Sequence, residues 1–222
     1  TDGLLAMALI HELLRTDRVD LDYLVRFTNA HHLVIDAPGT AEHGLIARDE
    51  QGEALCWNRN TQSTAAANGS GISPMIAGIY LLPSGRVAQP VFEHVLQRYS
   101  SDDYSPEMVS ETCGVPAHDI RRIAKELAEA AFDHNIALPI AWTDSTGQQH
   151  ASMKARPVSM HAMRGISAHA NGFQTCRALH VLQMLLGAVD APGSFRYQPP
   201  FPRPIPPANR PGKTRDSAGK LN

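Results

Sequence analysis

The sequence has no run of roughly eighteen apolar residues, so no stretch of it reads as a helix that spans a bilayer. It has no excess of either charge. Its 20 Lys and Arg against 22 Asp and Glu give a formal net charge of -2, which excludes a strongly basic nucleic-acid binder and an acidic tail. Cysteine is scarce, with 3 in 222 residues, and no C-x-x-C pair occurs, so neither a zinc ribbon nor a local iron–sulfur framework fits within the chain. An odd cysteine count argues against a disulfide scaffold, and Cys56, Cys113 and Cys176 are expected as buried thiols that pack as small hydrophobes. There is no P-loop, no G-x-G-x-x-G, no G-x-S-x-G and no H-E-x-x-H. The chain also lacks an initiator Met and begins, with TDGLLAMALIHELLR, already inside a helical pattern. It therefore reads as an internal piece of a longer polypeptide, for which missing targeting signals carry no weight.

What is present suffices for a buried core, since 43% of residues are hydrophobic and the length suits one large domain or two modest ones. Leu4, Leu5, Ala8, Leu9 and Leu13 give one apolar helical face, and DLDYLVRFT gives a second short helix. HLVID predicts a strand, and GLIARDEQGEALCWN predicts a hairpin turning at Asp49–Gly52. Thr61 to Gly71 is expected as loop. QPVFEHVLQRYS predicts a helix. So does SPEMVSETCG, with Ser105 as cap, Pro106 at the first position and Gly114 past the end. The helix in PAHDIRRIAKELAEAA turns Ile120, Ile123, Ala124, Leu127 and Ala131 inward. IALPIAW has the composition of a buried strand, and FQTCRALHVLQMLLG, apolar nearly all round, that of a buried helix ended by Gly187.

These elements predict an α/β architecture of two three-layer αβα lobes with mostly parallel sheets, incomplete at both ends. The first lobe covers residues 1–95 and the second 96–196. Residues 197–222 are expected to form a Pro-rich extended arm or a linker, overlapping the stretch from Pro192 to Pro211 that holds 8 of the 16 prolines.

Two places could hold a ligand. The helix start at Thr1-Asp2-Gly3 offers free N–H groups and a partial positive charge, which suit phosphates. Asp2 would repel a phosphate, yet it suits a guanine edge or a ribose hydroxyl. Helix capping alone is the other reading of these residues. The second place is MHAMRGISAHANGFQTCR, between a strand candidate and a buried helix, where α/β sheets hold ligands. There Gly165 and Gly172 allow close backbone approach, Arg164 could pair with a phosphate, and Asn171 or Gln174 could bond a heterocycle edge. His161 and His169 could carry protons, but their spacing fits no common zinc site, so no metal ligand is assigned. His31, His32, His43, His118, His134 and His150 are expected at the surface, as are Arg121 and Arg122 on the charged face of their helix.

Four stretches in order resemble the molybdopterin oxidoreductase family, the large catalytic subunits of the dimethyl sulfoxide reductase type. They are TDG followed by an apolar helix, DYLVRFTNAHHLV, YSPEMVSETCGVPAHDIRRIAKELA, and GISAHANGFQTCRALHVLQMLLGAVDAPGSF. Within the family, RPVSMHAMRGISAHANGFQTCRALH and the tail GSFRYQPPFPRPIPP are similar to the quinone-linked branch that oxidises sulfite. Thiosulfate, polysulfide and tetrathionate reductases and formate dehydrogenase are the alternatives within the family, and a non-catalytic cofactor-binding or interaction fragment is the alternative outside catalysis.

The resemblance implies a molybdenum bis(molybdopterin guanine dinucleotide) cofactor and one 4Fe–4S cluster whose ligands, like the molybdenum ligand, lie outside this chain. It implies two partners, an iron–sulfur electron-transfer subunit plus a membrane-anchor subunit. It places the enzyme in the cytoplasm, or alternatively the periplasm, associated with the membrane through those partners. For cofactor binding it points to Thr1 and Asp2 at a guanosine-end contact, and to Met163, Arg164, Gly165, Ala168, His169, Asn171 and Gly172 around the pterin. Arg164 and His169 are also the candidates for guiding an anionic substrate. The family often carries a Gln or similar polar group where this chain has Ala168 or His169.

Overall fold

The first helix, α1 (Asp2–Arg15), is the central rod of a helical cluster in a computed structural model that describes residues 1–144, 147–162 and 164–195. Around it lie α3 (Val91–Tyr99), α4 (Pro106–Cys113), α5 (Ala117–Ala128) and α7 (Gly172–Leu185), with α2 (Leu21–Phe27) and the short α6 (Arg164–Ser167) at the margin. Because neighbours pack on several sides, α1 buries Ala8, Leu9, Ile10, His11, Glu12 and Leu13 in succession rather than only the single stripe its spacing predicts. The two polar members of that run are satisfied. His11 Nδ1 lies 2.8 Å from the Tyr99 carbonyl, and Glu12 pairs with Arg15 at 2.7 Å.

Helix boundaries follow the local chemistry. The Ser105 hydroxyl accepts from Met108 N–H, Pro106 opens α4, and Gly114 at φ +75° stops it, as the sequence predicts. Helix α5 buries Ile120 and Ala124 and continues into a π-helical turn, Glu129–Asp133, that carries Ala131 inside. Its outer face holds Arg121 on Glu107 and Arg122 between Asp119 and Glu126, the solvated face expected for both arginines.

Between α2 and α3 the chain forms two small sheets. One has the order β1 (Leu33–Asp36), β5 (Val87–Pro90), β4 (Tyr80–Leu81), over a core of Leu33, Ile35, Ala47, Leu82 and Ala88. The other pairs β2 (Leu55–Asn58) with β3 (Ser63–Ala66). The expected strand and the Asp49–Gly52 turn are present, the turn held by Asp49 Oδ1 accepting from Gln51 and Glu53 N–H groups. Strand β3 falls where a loop is expected from the sequence. Its residues Ser, Thr, Ala and Ala show no alternation, so pairing with Trp57 and Cys56, not periodicity, makes it a strand.

Later in the chain β6 (Ile136–Leu138) pairs with β9 (Met153–Ala155), and β7 (Trp142–Thr143) with β8 (Gln149–His150).

The mix of helices and strands agrees with the α/β expectation. The strand direction does not, because every named ladder among the described residues is antiparallel. Hairpin links such as those between β2 and β3 or β7 and β8 are too short for the crossover of a dozen or so residues that parallel pairing needs. IALPIAW is likewise no buried strand, for Ile136 and Ile140 are 54% and 48% exposed.

One hydrophobic cluster collects Leu9, Leu13, Phe92, Tyr99, Ile120, Leu182 and Leu186, and so takes residues from both sides of position 95, which falls inside α3. The Pro-rich stretch 197–222 lies outside the described residues, as does Met163.

Candidate functional site

Helices α1 and α7 run side by side in the same direction. At their starts a Cβ on Gly3 would sit 2.9 Å from Thr175 Oγ1, and near their ends Asp20 N–H donates to the Leu185 carbonyl at 2.7 Å. This brings the two segments singled out in the sequence, Thr1-Asp2 and the loop before α7, to one end of the fold. Neither helix start carries a side-chain cap, so N–H groups of both first turns face outward without one. Thr1, Asp2, Arg164, Gly165, Ala168, His169 and Asn171 are all exposed. The side chains of Arg164, His169 and Asn171 make no hydrogen bond or ion pair among the described residues. Gly172 differs from the rest. It is buried, and a Cβ there would fall 2.1 Å from the Ser167 carbonyl oxygen, so its role is to let the loop fold onto the helix.

At the other end of α7, about 20 Å away along the helix, lies a cleft of about 1170 Å³. Its walls are α2, the β7–β8 hairpin with β9, the end of α7, and the chain from Gly187 to Pro192. An aromatic row lines one side. Trp142 stacks on His150 at 4.5 Å between ring centroids and on Phe27 at 6.2 Å, and Phe27 in turn meets Tyr23 at 5.0 Å. Arg26 lies 6.0 Å from the Trp142 ring. Behind the row, the buried Asp144 carboxylate accepts from Gln148 N–H at 2.9 Å and stands 2.9 Å from His150 Nε2. His150 is thus half-buried and paired, not the surface histidine expected. His31 and His32 are corrected in the same way, since His31 is buried with Nε2 3.3 Å from the Ala67 carbonyl and His32 is half-buried, and burial lowers the pKa of both.

The floor of the cleft is an ion pair. Asp20 caps α2 by accepting from Tyr23 N–H at 3.0 Å, and its other oxygen accepts from Arg156. Arg156 also donates to the Ala131 carbonyl at 2.7 Å and covers the Phe132 ring. Gly187 has φ +63°, and a Cβ there would lie 2.6 Å from Asp20 Oδ2, so only glycine passes this point without strain. Tyr23 donates to the Val189 carbonyl at 3.0 Å, and burial, with the nearby Asp190 and Asp20 charges, pushes its phenol up to about 12.

None of the residues proposed from the sequence lines this cleft. The segment TDSTGQQHASMKARP, which supplies about a third of its residues, Gln149 to Lys154 and Arg156, reads in the sequence only as a polar connector. No motif marks it, and Trp142 reads there as the end of a buried strand. Of the thiols, Cys56 is buried as expected, while Cys113 and Cys176 are only half-buried. No helix among the described residues is long and apolar enough to cross a membrane.

No protein-family model matches the chain. It is, however, 43% identical over 220 residues to a sulfite dehydrogenase subunit of Allochromatium vinosum, an alignment that takes in 95% of this chain and 22% of that protein. The chain thus spans about a fifth of the length of the curated relative it matches, and over nearly all of its own length it is related to a sulfite dehydrogenase subunit.

Proposed function

We propose that the chain is part of the catalytic subunit of an oxidoreductase that converts sulfite to sulfate, and that it forms one wall of a molybdenum bis(molybdopterin guanine dinucleotide) site. The observation that carries this reading is the identity to the sulfite dehydrogenase of Allochromatium vinosum along 95% of the chain. Sulfite takes an oxygen from water and releases two protons and two electrons. The molybdenum group, when bound, supplies the oxygen-atom and electron-pair chemistry.

The chain's own residues fit such a guest in donor chemistry. Two neighbouring helix starts without side-chain caps, the exposed Arg164 guanidinium and the Asn171 amide form a surface rich in donors, suited to pyrophosphate oxygens and to the acceptors of a pterin. Thr1 and Asp2 would offer acceptors to a guanine or ribose edge. Gly165 and Ala168 leave the loop low, and Gly165 has open space where a Cβ would stand. Met163 belongs to the same proposed set. Arg164, and His169 when protonated, would draw a sulfite dianion toward the site.

Cluster and molybdenum ligands would come from residues beyond this chain. A relative that is itself one subunit of an enzyme supports a multi-subunit assembly. We place an iron–sulfur subunit with a membrane-anchor subunit beside it as the partners, with quinone as the acceptor and attachment to the cytoplasmic face of the membrane through them.

The test is Arg164→Ala in the intact enzyme, assayed for sulfite-dependent reduction of a quinone analogue together with molybdenum content. The reading predicts a raised KM for sulfite or loss of the cofactor. Unchanged kinetics at full molybdenum content would remove Arg164 from the site.

A further inference from the structure

The cleft at the far end of α7 has no part in the proposed cofactor wall. Its volume of about 1170 Å³ slightly exceeds the range of about 300–1,000 Å³ common for small-molecule sites, so a molecule of two fused rings has room there.

Two features say what such a molecule would be. The first is a flat apolar face. Phe27 and Trp142 lie near parallel, at 23°, with ring centroids 6.2 Å apart, and Phe27 is 49% exposed. Planar rings stack favourably on such a face. The second is a set of unspent donors. Arg26 lines the cleft with its guanidinium 6.0 Å from the Trp142 ring. Its Nε lies 3.7 Å from Asp144 Oδ2, too far for a hydrogen bond, and none of its N–H groups donates one among the described residues. Asp144 is taken up more closely by His150 and by Gln148 N–H, each at 2.9 Å. A half-buried guanidinium with its fork of donors unused favours a ligand that brings an acceptor.

Charge selects the kind of acceptor. Asp20, Asp22 and Asp190 line the cleft together with Arg26, Lys154 and Arg156, and the buried Asp144 stands behind the aromatic row. An anion therefore finds no surplus of positive charge, and the phosphates of a nucleotide find none either. A cation would crowd the guanidinium already placed at the Trp142 ring. A neutral carbonyl oxygen meets both conditions, because it accepts from Arg26 without adding charge.

We propose that this cleft is a second ligand site, which takes a neutral flat-ring compound bearing a ring carbonyl. The ring lies on Phe27 and Trp142, and the carbonyl oxygen accepts from the Arg26 guanidinium. This ligand is distinct from the phosphate-bearing cofactor proposed for the opposite end of α7.

Equilibrium dialysis of the intact polypeptide, as purified, tests this with three two-ring probes. 7-Methoxycoumarin is neutral and has the ring carbonyl, 2-methoxynaphthalene lacks it, and 2-naphthoate carries a negative charge. The expected result is that methoxycoumarin binds about tenfold more tightly than either of the others, the gain of a hydrogen bond from a charged donor. Arg26→Met should remove that advantage and leave methoxynaphthalene binding unchanged. Phe27→Ala, at an exposed position, should weaken both neutral probes alike, by about threefold to tenfold. The proposal is overturned if no probe binds, if methoxycoumarin binds no better than methoxynaphthalene, if naphthoate binds most tightly, or if the advantage survives Arg26→Met. The comparison among probes on the parent polypeptide decides the matter even if a variant fails to fold.

Discussion

Arg156→Met would remove the guanidinium from the floor of the cleft and leave the Asp20 carboxylate without its charge partner. The side chains of Arg156 and Asp20 are 6% and 13% exposed, and the two residues are 136 positions apart in the chain. Breaking a buried ion pair from one side costs about 3–5 kcal/mol, because the remaining charge stays desolvated. Asp20 keeps the Tyr23 N–H bond and a small opening to water, so the low end applies, about 3 kcal/mol. Losing the bond to the Ala131 carbonyl adds to this rather than offsetting it. At about 2–4 °C per kcal/mol for a chain of this size, the midpoint of thermal unfolding should fall by about 6–12 °C. Circular dichroism at 222 nm on heating reads it, with urea titration as a check on cooperativity. Asp20→Asn combined with Arg156→Met should recover part of the loss, since the amide still caps α2 without a stranded charge. A fall under about 2 °C for Arg156→Met, against the 3 kcal/mol expected, would show that the pair is open to water and that the cleft floor is wrongly described.

Gly187→Ala should cost about 1–3 kcal/mol, because its φ of +63° and the 2.6 Å approach to Asp20 Oδ2 leave no room for a methyl group; the urea midpoint checks it. Stability should also fall on acidification. Among the described residues the buried His31 Nδ1 has no hydrogen-bond partner, and burial lowers the His31 pKa below its ordinary 6.5, so the unfolded chain binds a proton that the folded chain refuses. The stabilising contribution is full above about pH 6.5 and is lost as pH falls through the lowered folded value. Urea midpoints between about pH 7 and pH 5 should therefore drop less steeply in His31→Gln than in the parent. An identical slope would acquit His31.

Where local chemistry decides an element, the sequence is readable. The Ser105-Pro106 start and Gly114 stop of α4, the Asp49–Gly52 turn, and the inward Ile120 and Ala124 of α5 are all set within a few residues. Long-range pairing decides the rest. Nothing near Ser63 marks it as a strand partner of Asn58, and nothing in IALPIAW tells that its strand pairs with β9 and stays largely exposed.

The site divides along the same line. The exposure of Arg164 and His169 is what a polar, glycine-bearing loop predicts. That their loop lies at the same end of the fold as Thr1 and Asp2 depends on Gly3 packing against Thr175, a contact across more than a hundred and seventy residues that no periodicity reveals. The cleft is invisible in the sequence for a further reason. Its ion pair joins the cap of α2 to a single arginine past β9, and its aromatic row joins α2 to a hairpin, so no contiguous motif carries either.

The claim on which the functional account rests is met most directly by purifying the intact polypeptide that carries this chain, under conditions that supply molybdenum, and measuring metal and released guanine nucleotide together. The account predicts both, in the ratio that a bis(molybdopterin guanine dinucleotide) group carries, with both reduced in parallel by Arg164→Ala. Folded protein that oxidises sulfite with neither molybdenum nor tungsten nor guanine nucleotide would contradict it.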